Sequence, residues 1–287
     1  MPLVSVVIPA YRRGHVIERA LQSVLEQTYQ DFEILVVDDG SKDNTASVVA
    51  ALAKTEPRIH YLCHDTNRGA QAARNTGIRA ATGKWVAFLD SDDYWLPDSL
   101  EKRLTIAEKE SVEVVYSGCN VIRNDGNLTP FGIPAFSGSI YFNVLISPGP
   151  MFQSLLVSKV ALEAIEYLDE KIIAYQEWDT SIRLAKLFNF AFMPEPTFIY
   201  DCRGDDTISK NMKRDVEGYQ QVFNKHFSEV IKQAGPRAVA HHYQNIANRY
   251  QSIDEQDSAT YYQFLSLLWW PFRFKTAYRK LRRLIHA

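Results

Sequence analysis

W-V-A-F-L-D-S-D-D-Y-W, residues 85–95, is the stretch whose reading decides the fold. Its first half, Trp85 to Leu89, is an unbroken apolar run of strand length, and its second half crowds Asp90, Asp92 and Asp93 into four residues. A short continuous apolar run fits a strand buried on both faces, the kind found in parallel sheets covered by helices. Three carboxylates so close raise one another's pKa values unless a positive charge lies among them. The stretch therefore predicts a buried strand whose end either sacrifices stability or expects a cation.

Outward from it, runs of the same character recur at Leu3–Ile8, Phe32–Val37, Ile59–Cys63 and Val112–Tyr116. Helical spacing fills the gaps. Val16, Ile17, Ala20, Leu21, Val24 and Leu25 form one apolar face, and Ala46, Val49, Leu52 and Ala53 form a second. Ala70, Ala73 and Gly77 predict a third helix that packs closely through small residues, and Pro97 suits the first turn of a fourth running to Glu110. Strands alternating with helices predict an α/β fold, a doubly wound and mostly parallel sheet flanked by helices.

Ligands of such sheets bind beyond the carboxyl ends of the strands. The residues there are Pro9-Ala10-Tyr11, Asp38-Asp39-Gly40-Ser41, His64-Asp65 and Asp90-Ser91-Asp92, so acids gather on one edge. No G-x-G-x-x-G follows the first strand and no G-x-x-x-x-G-K-[ST] occurs, which excludes the usual dinucleotide and P-loop signatures. A calcium loop starting at Asp90 would need glycine where Trp95 stands. What remains is a D-x-D pair of hard oxygen ligands, suited to Mg2+ or Mn2+ bridging to phosphates.

The 287 residues are 46% hydrophobic, enough for a sizeable core. Cys63, Cys119 and Cys202 form neither an even set nor a C-x-x-C pair, so a reducing cytoplasm is expected. The N-terminal residues show no secretory pattern, so no secretory signal is expected, and the sequon Asn127-Leu128-Thr129 carries no weight. From Ser258 onward there is no acid while Arg273, Lys275, Arg279, Lys280, Arg282 and Arg283 add six positive charges; with a net charge of −2, the rest carries −8. Residues 264–287, F-L-S-L-L-W-W-P-F-R-F-K followed by a basic amphipathic segment, are too short an apolar run to span a bilayer and suit a membrane-surface anchor on the inner face of the cell membrane. A helix docked on the protein is the alternative. Nucleic acid is not an expected partner, because the remainder is acidic. His241-His242 is expected on a helix surface, and a helix near Leu96 is expected to be capped by Asp93 or Asp92 unless those acids serve a ligand.

Five motifs in order, S-V-V-I-P-A-Y (5–11), V-V-D-D-G-S-K-D-N-T (36–45), N-x-G-x-x-x-A-R-N-x-G (67–77), F-L-D-S-D-D (88–93) and Q-E-W-D-T-S-I-R-L-A (176–185), resemble the family 2 glycosyltransferases of GT-A fold. The resemblance covers roughly residues 3 to 210 and implies a catalytic domain over 1–212 with a helical extension over 213–287. It implies that Asp90, with Ser91, lies at the ribose of a nucleotide-sugar and that Asp92 holds the metal. Asp39 is implied as the reader of the base, Asp38 as the support of its loop, and Pro9, Ala10 and Tyr11 as the lining of the pocket. Arg68 and Arg74 either contact base and phosphate or tie down an acidic loop. Glu177 is implied as the general base; the family more usually has two consecutive acids where this chain has Gln176-Glu177, so Asp179 stays a second candidate. Both acids also suit the first turn of a helix. Arg203 has no histidine near it, and a phosphate role for it is weakly indicated. The acceptor side is expected around Ser147–Gln153 and after Asn124.

The expected function is inverting, metal-dependent transfer of a sugar from a UDP-sugar to a hydroxyl of a cell-surface polysaccharide or lipid-linked glycan precursor. A non-catalytic nucleotide-sugar-binding protein and a membrane scaffold are the rival readings.

Overall fold

The structure is a computed structural model that describes residues 3–203 and 211–270. Strand and helix alternate through β1 (Val4–Ala10), α1 (Ile17–Leu25), β2 (Phe32–Asp38), α2 (Thr45–Ala53), β3 (Ile59–Cys63), α3 (Ala70–Ala80) and β4 (Trp85–Phe88). Every residue of β1, β2 and β4 is buried, which is why these strands read as unbroken apolar runs. There follow β5 (Tyr94–Trp95), α4 (Ser99–Glu110), β6 (Val114–Ile122), β7 (Leu128–Phe131), α5 (Tyr141–Ile146), β8 (Leu156–Ser158), α6 (Lys159–Ala164), α7 (Gln176–Ala185) and β9 (Phe190–Asp201). A single 3-10 turn, Phe152–Ser154, precedes β8.

Among the described residues nine strands form one sheet in the order β3-β2-β1-β4-β8-β6-β9-β5, with β7 beside β6. The β3-β2-β1-β4 half is parallel, and β8 is the antiparallel strand set between β4 and β6. The order reverses at β1, and the ends of β1, β2 and β4 open there onto one edge. Val6, Ile8, Ile34, Val36 and Ala87 from the sheet and Ile17, Leu21 and Val24 from α1 are all fully buried in its core. Helix α3 lies on β1 at a distance that only glycine allows: a Cβ on Gly77 would stand 2.5 Å from Val7 Cγ1. This contact sets Arg74, one turn earlier, at the edge where the strands end.

The fourth helix starts at Ser99 and not at Pro97, because Leu96 N–H still donates to Thr197 C=O beside the β5–β9 pair. Asp98 flanks that helix, so neither Asp92 nor Asp93 caps it. Strands β7, β8 and β9 carry no pattern that the sequence made legible, and β9 is irregular, with register shifts between Ser117 and Asn120 of its partner β6.

The chain divides into two compact units, one of Met1–Tyr141, Gly149–Lys171 and Gln176–Thr207, the other of Phe142–Pro148, Ile172–Tyr175 and Ile208–Ala287. The second contains α8 (Met212–Lys225), α9 (Phe227–Glu229), a π-turn at Val230–Ala234, α10 (Gly235–Ser252) and α11 (Gln256–Trp269). It grips the segment 172–175. Ile173 C=O accepts from Arg214, its N–H donates to Gln221, and Gly218 leaves room for Ala174, whose Cβ would be 2.5 Å from an added Cβ. Tyr175 O–H donates to Asp215 at 2.6 Å and accepts from Arg249 at 2.7 Å. His242 is fully buried, not on a helix surface. Its Nε2–H donates to Leu145 C=O and its Nδ1 accepts from Tyr219, and burial pushes its pKa down to about 4, so the ring is neutral. No described helix is long and apolar enough to cross a membrane. Phe264 and Leu268 are exposed on α11, and the basic part of the expected anchor, 271–287, lies outside the described residues.

Candidate active site

The acidic edge is built from turns that follow the buried strands. After β2, the Asp38 carboxylate accepts from Ser41 N–H at 2.9 Å and from Tyr61 O–H at 2.6 Å, so this acid shapes its own loop. Asp39 is buried and accepts three bonds. Oδ1 takes His64 Nδ1–H (2.7 Å) and Arg68 N–H (2.8 Å), and Oδ2 takes Gly69 N–H (2.7 Å). It thereby pins the entry to α3, where Gly69 stands at φ +95° as its N-cap. Gly40, at φ +75°, has the backbone of Thr66 and Asn67 within 3.0 Å of where a Cβ would be, so the two loops touch through their main chains. Asp39 N–H donates to Ala10 C=O, which joins the same loop to the Pro9-Ala10-Tyr11 segment; Tyr11 is exposed beside it.

After β4 the three acids divide their partners. Asp90 is clamped on both oxygens, by Arg74 Nη2 at 2.5 Å and by Gln153 Nε2 at 2.7 Å. The buried Arg74 guanidinium rests on the Phe152 ring, 4.4 Å from its centroid. Asp93 is buried and accepts from the same Gln153 amide, 2.7 Å, and from Asp201 N–H, 2.9 Å. Burial, with the charges of Asp90 and Asp92, pushes its carboxyl well above the usual range. Ser91 is buried between the acids. Asp92 is a third exposed, and its Oδ2 faces Arg13 Nη2 at 3.6 Å while its backbone C=O accepts from Arg19 Nη2 at 2.5 Å. Burial and Asp90 raise the Asp92 carboxyl, and Arg13 and Arg19 only partly offset them.

Arg19 also donates to Asp201 at 2.7 Å, and Arg203 holds the same carboxylate through two bonds. Burial alone would raise Asp201, but these arginines outweigh it and hold it down to about 2. Arg203 is thus occupied within the chain. Arg68 is exposed and lies 3.5 Å from Glu170, so of the two arginine candidates Arg74 is the one at the acids.

The α7 helix carries the proposed base. Glu177 is half-buried, and its carboxylate accepts a hydrogen bond from its own backbone N–H. Burial raises its pKa; the charge of Arg74 lowers it and that of Asp90 raises it again. A half-buried carboxylate whose pKa is raised is equipped to take a proton. Asp179 differs. It is buried on the same helix and sits 3.2 Å from Arg183, whose guanidinium also donates to the carbonyls of Ile165 and Tyr167.

Among the described residues no three His, Cys, Asp or Glu side chains form a metal cage. The hard carboxylate oxygen of Asp92, a third exposed, still suits a Mg2+ or Mn2+ ion that takes its other ligands from phosphates and water. Gln153, expected on the acceptor side, proves to touch the acids directly, and His64, at the end of β3, bonds Asp39; Arg13, Arg19 and Asp201 join the site although the sequence did not mark them. Arg13 and Arg19 follow the end of β1, where the switch-point rule directs attention; nothing in the local pattern around Gln153 or Asp201 marks them.

The family model for glycosyl transferase family 2 matches residues 5–153. The amylovoran biosynthesis glycosyltransferase AmsB of Erwinia amylovora is 33% identical, over 68% of this chain and 68% of its own length. The UDP-Glc:alpha-D-GlcNAc-diphosphoundecaprenol beta-1,3-glucosyltransferase WfgD of Escherichia coli is 39% identical over 132 residues, 46% of this chain and 51% of that protein. The chain thus spans about half the length of WfgD and likewise of the putative teichuronic acid biosynthesis glycosyltransferase TuaG of Bacillus subtilis. The mannosyltransferase PcManGT from Pyrobaculum calidifontis, solved with GDP-Man and Mn2+, superposes with a TM-score of 0.67 at 21% identity, over 91% of this chain and 74% of that one. TarS 1-349 of S. aureus, solved with UDP-GlcNAc, gives 0.65 at 16% identity, over 91% of this chain and 90% of that one. At such identities the likeness shows the fold, which is of GT-A type.

Proposed function

Because this chain belongs to glycosyl transferase family 2, we propose that it transfers a sugar from a nucleoside-diphosphate sugar, specifically a UDP-sugar, to a hydroxyl of a polysaccharide or lipid-linked glycan precursor, with inversion at the anomeric carbon. The observation that carries the reading is an outward acid, Asp92, at the end of a buried strand, together with a half-buried Glu177 whose pKa is raised by burial and by the charge of Asp90. The choice of UDP and of such an acceptor rests on what WfgD and TarS are named for, and is a proposal for this chain.

In this reading the nucleotide lies along Pro9–Tyr11 and the Asp38–Asp39 loop, with the ribose at Asp90 and Ser91. Asp92 would hold Mg2+ or Mn2+, which when bound neutralises charge on the departing diphosphate. Arg74 keeps Asp90 oriented. Glu177 accepts the proton of the acceptor hydroxyl as its oxygen attacks the anomeric carbon and the bond from that carbon to the diphosphate oxygen breaks. Asp179, committed to Arg183, supports the helix and leaves the base role to Glu177. The enzyme would work in the cytoplasm, peripherally on the inner face of a membrane through 264–287, where a lipid-linked acceptor is presented.

A thermal-shift titration with UDP, GDP and dTDP, each with and without Mn2+, tests the reading. Stabilisation by UDP that needs Mn2+ is expected. Equal response to all three, or none to any, would remove the donor assignment, and binding without turnover for any acceptor would favour the non-catalytic rival.

A further inference from the structure

One buried turn braces the acidic edge from behind. The 3-10 turn Phe152–Ser154 is held by its main chain: Gln153 C=O accepts from Trp95 Nε1 at 3.3 Å and from Arg103 Nη1 at 3.4 Å, and Leu155 C=O accepts from the same Nη1 at 3.2 Å. Arg103 is fully buried, its guanidinium lying over the Trp95 ring at 4.5 Å from the centroid. So fixed, the turn aims two side chains at the site. The Phe152 ring packs against Phe88 and carries the Arg74 guanidinium on its face, and the Gln153 amide reaches the acids themselves.

An amide NH2 has two hydrogens, and both are used here. Nε2 donates to Asp90 Oδ2 and to Asp93 Oδ2, each at 2.7 Å. With Arg74 on Oδ1, the Asp90 carboxylate is thus fixed at both oxygens, which sets its plane. Without the amide, Asp93 would keep the Asp201 N–H, but Asp90 would hang on Arg74 alone and could turn about that one bond. Gln153 is 4% exposed while the Asp90 side chain is 28% exposed, so a ligand at this edge meets the acid and not the amide behind it. We propose that Gln153 is a positioning residue for donor recognition: it sets the Asp90 carboxylate in the orientation that accepts a ribose hydroxyl, and so makes the site distinguish a ribonucleotide from a deoxyribonucleotide. The proposal rests on the reading above that the ribose lies at Asp90.

The test is isothermal titration calorimetry with UDP, 2′-deoxy-UDP and 3′-deoxy-UDP, Mn2+ being present throughout, on the full chain and on Gln153→Met and Gln153→Asn. The unmodified protein should bind UDP roughly 10- to 100-fold more tightly than one or both deoxy forms, the size of a hydrogen bond to a charged group. Gln153→Met has a similar shape and no donor, and should cut that ratio by roughly 3- to 10-fold, the size of one neutral hydrogen bond, by weakening UDP while the deoxy form changes within about twofold. A glutamine that merely propped the fold would, on removal, weaken all three ligands alike. An unchanged ratio in a folded Gln153→Met protein therefore overturns the proposal. Gln153→Asn, whose amide is one methylene too short to span both acids, supplies the same comparison if the methionine variant fails to fold. Equal binding of UDP and both deoxy forms by the unmodified protein, or binding of none, overturns the placing of the ribose at Asp90, and the proposal with it.

Discussion

Asp39→Asn should cost this fold more than an exposed polar substitution could. The carboxylate is buried and accepts bonds from His64, Arg68 N–H and Gly69 N–H, all at 2.7–2.8 Å. An asparagine has one acceptor oxygen. In its better orientation that oxygen keeps His64 and Arg68, and the amide NH2 is left facing the N–H of Gly69. One charge-assisted bond, worth about 1.5–3 kcal/mol, is lost, and a buried donor is left unsatisfied at about 1–3 kcal/mol; relaxation of the loop recovers part of this, so a loss of about 2–4 kcal/mol is expected. Urea unfolding of both proteins at pH 7 measures it. The entry to α3 should loosen as well, and UDP affinity should fall as an indirect result. A loss below about 0.5 kcal/mol with UDP affinity strongly reduced would refute the reasoning, since it would make Asp39 a reader of the base and not the anchor of the loop.

Asp92→Asn should abolish Mn2+-dependent stabilisation by UDP while leaving the melting temperature without ligand near that of the unmodified protein, as a thermal-shift assay will show. Gly77→Ala should destabilise the protein by roughly 1–3 kcal/mol despite alanine's better helix propensity, because the new Cβ would lie 2.5 Å from a Val7 methyl; urea unfolding checks it. Asp201, held down to about 2, contributes stability that is present above the ordinary carboxylate pKa and is lost as pH falls through about 2. The unfolding free energies of the unmodified protein and Asp201→Asn should therefore differ by about 2 kcal/mol at pH 6 and converge as pH falls toward 2.

The parallel half of the sheet and the site edge were legible because burial on both faces writes itself as unbroken apolar runs, with the acids punctuating their ends. β8 is three residues long and β9 contains Pro194 and Pro196, so neither offers a period to read. Site residues that act through main-chain turns after β1, β2 and β4 could be located from the strands that carry them. Gln153 could not be: it reaches Asp90 and Asp93 from 60 residues or more away, and only tertiary packing brings the amide to them. The same holds for His242, which a polar sequence context places on a surface and the fold buries against Tyr219 and Phe223. Charge type was informative, but partnership was not. Asp179 and Glu177 look alike in the sequence, and only the structure gives one of them to Arg183.

The central claim, that Glu177 takes the acceptor's proton, is tested most directly by the pH dependence of sugar transfer from a UDP-sugar in the unmodified protein and in Glu177→Gln. A base must be deprotonated, so activity of the unmodified enzyme should fall as pH drops through the Glu177 pKa, which burial raises above the ordinary carboxylate range. Glu177→Gln should lose roughly 100- to 10,000-fold in kcat, lose that acid limb, and keep its stabilisation by UDP with Mn2+. A folded, UDP-binding Glu177→Gln protein with near-normal kcat and an unaltered pH profile would contradict the account.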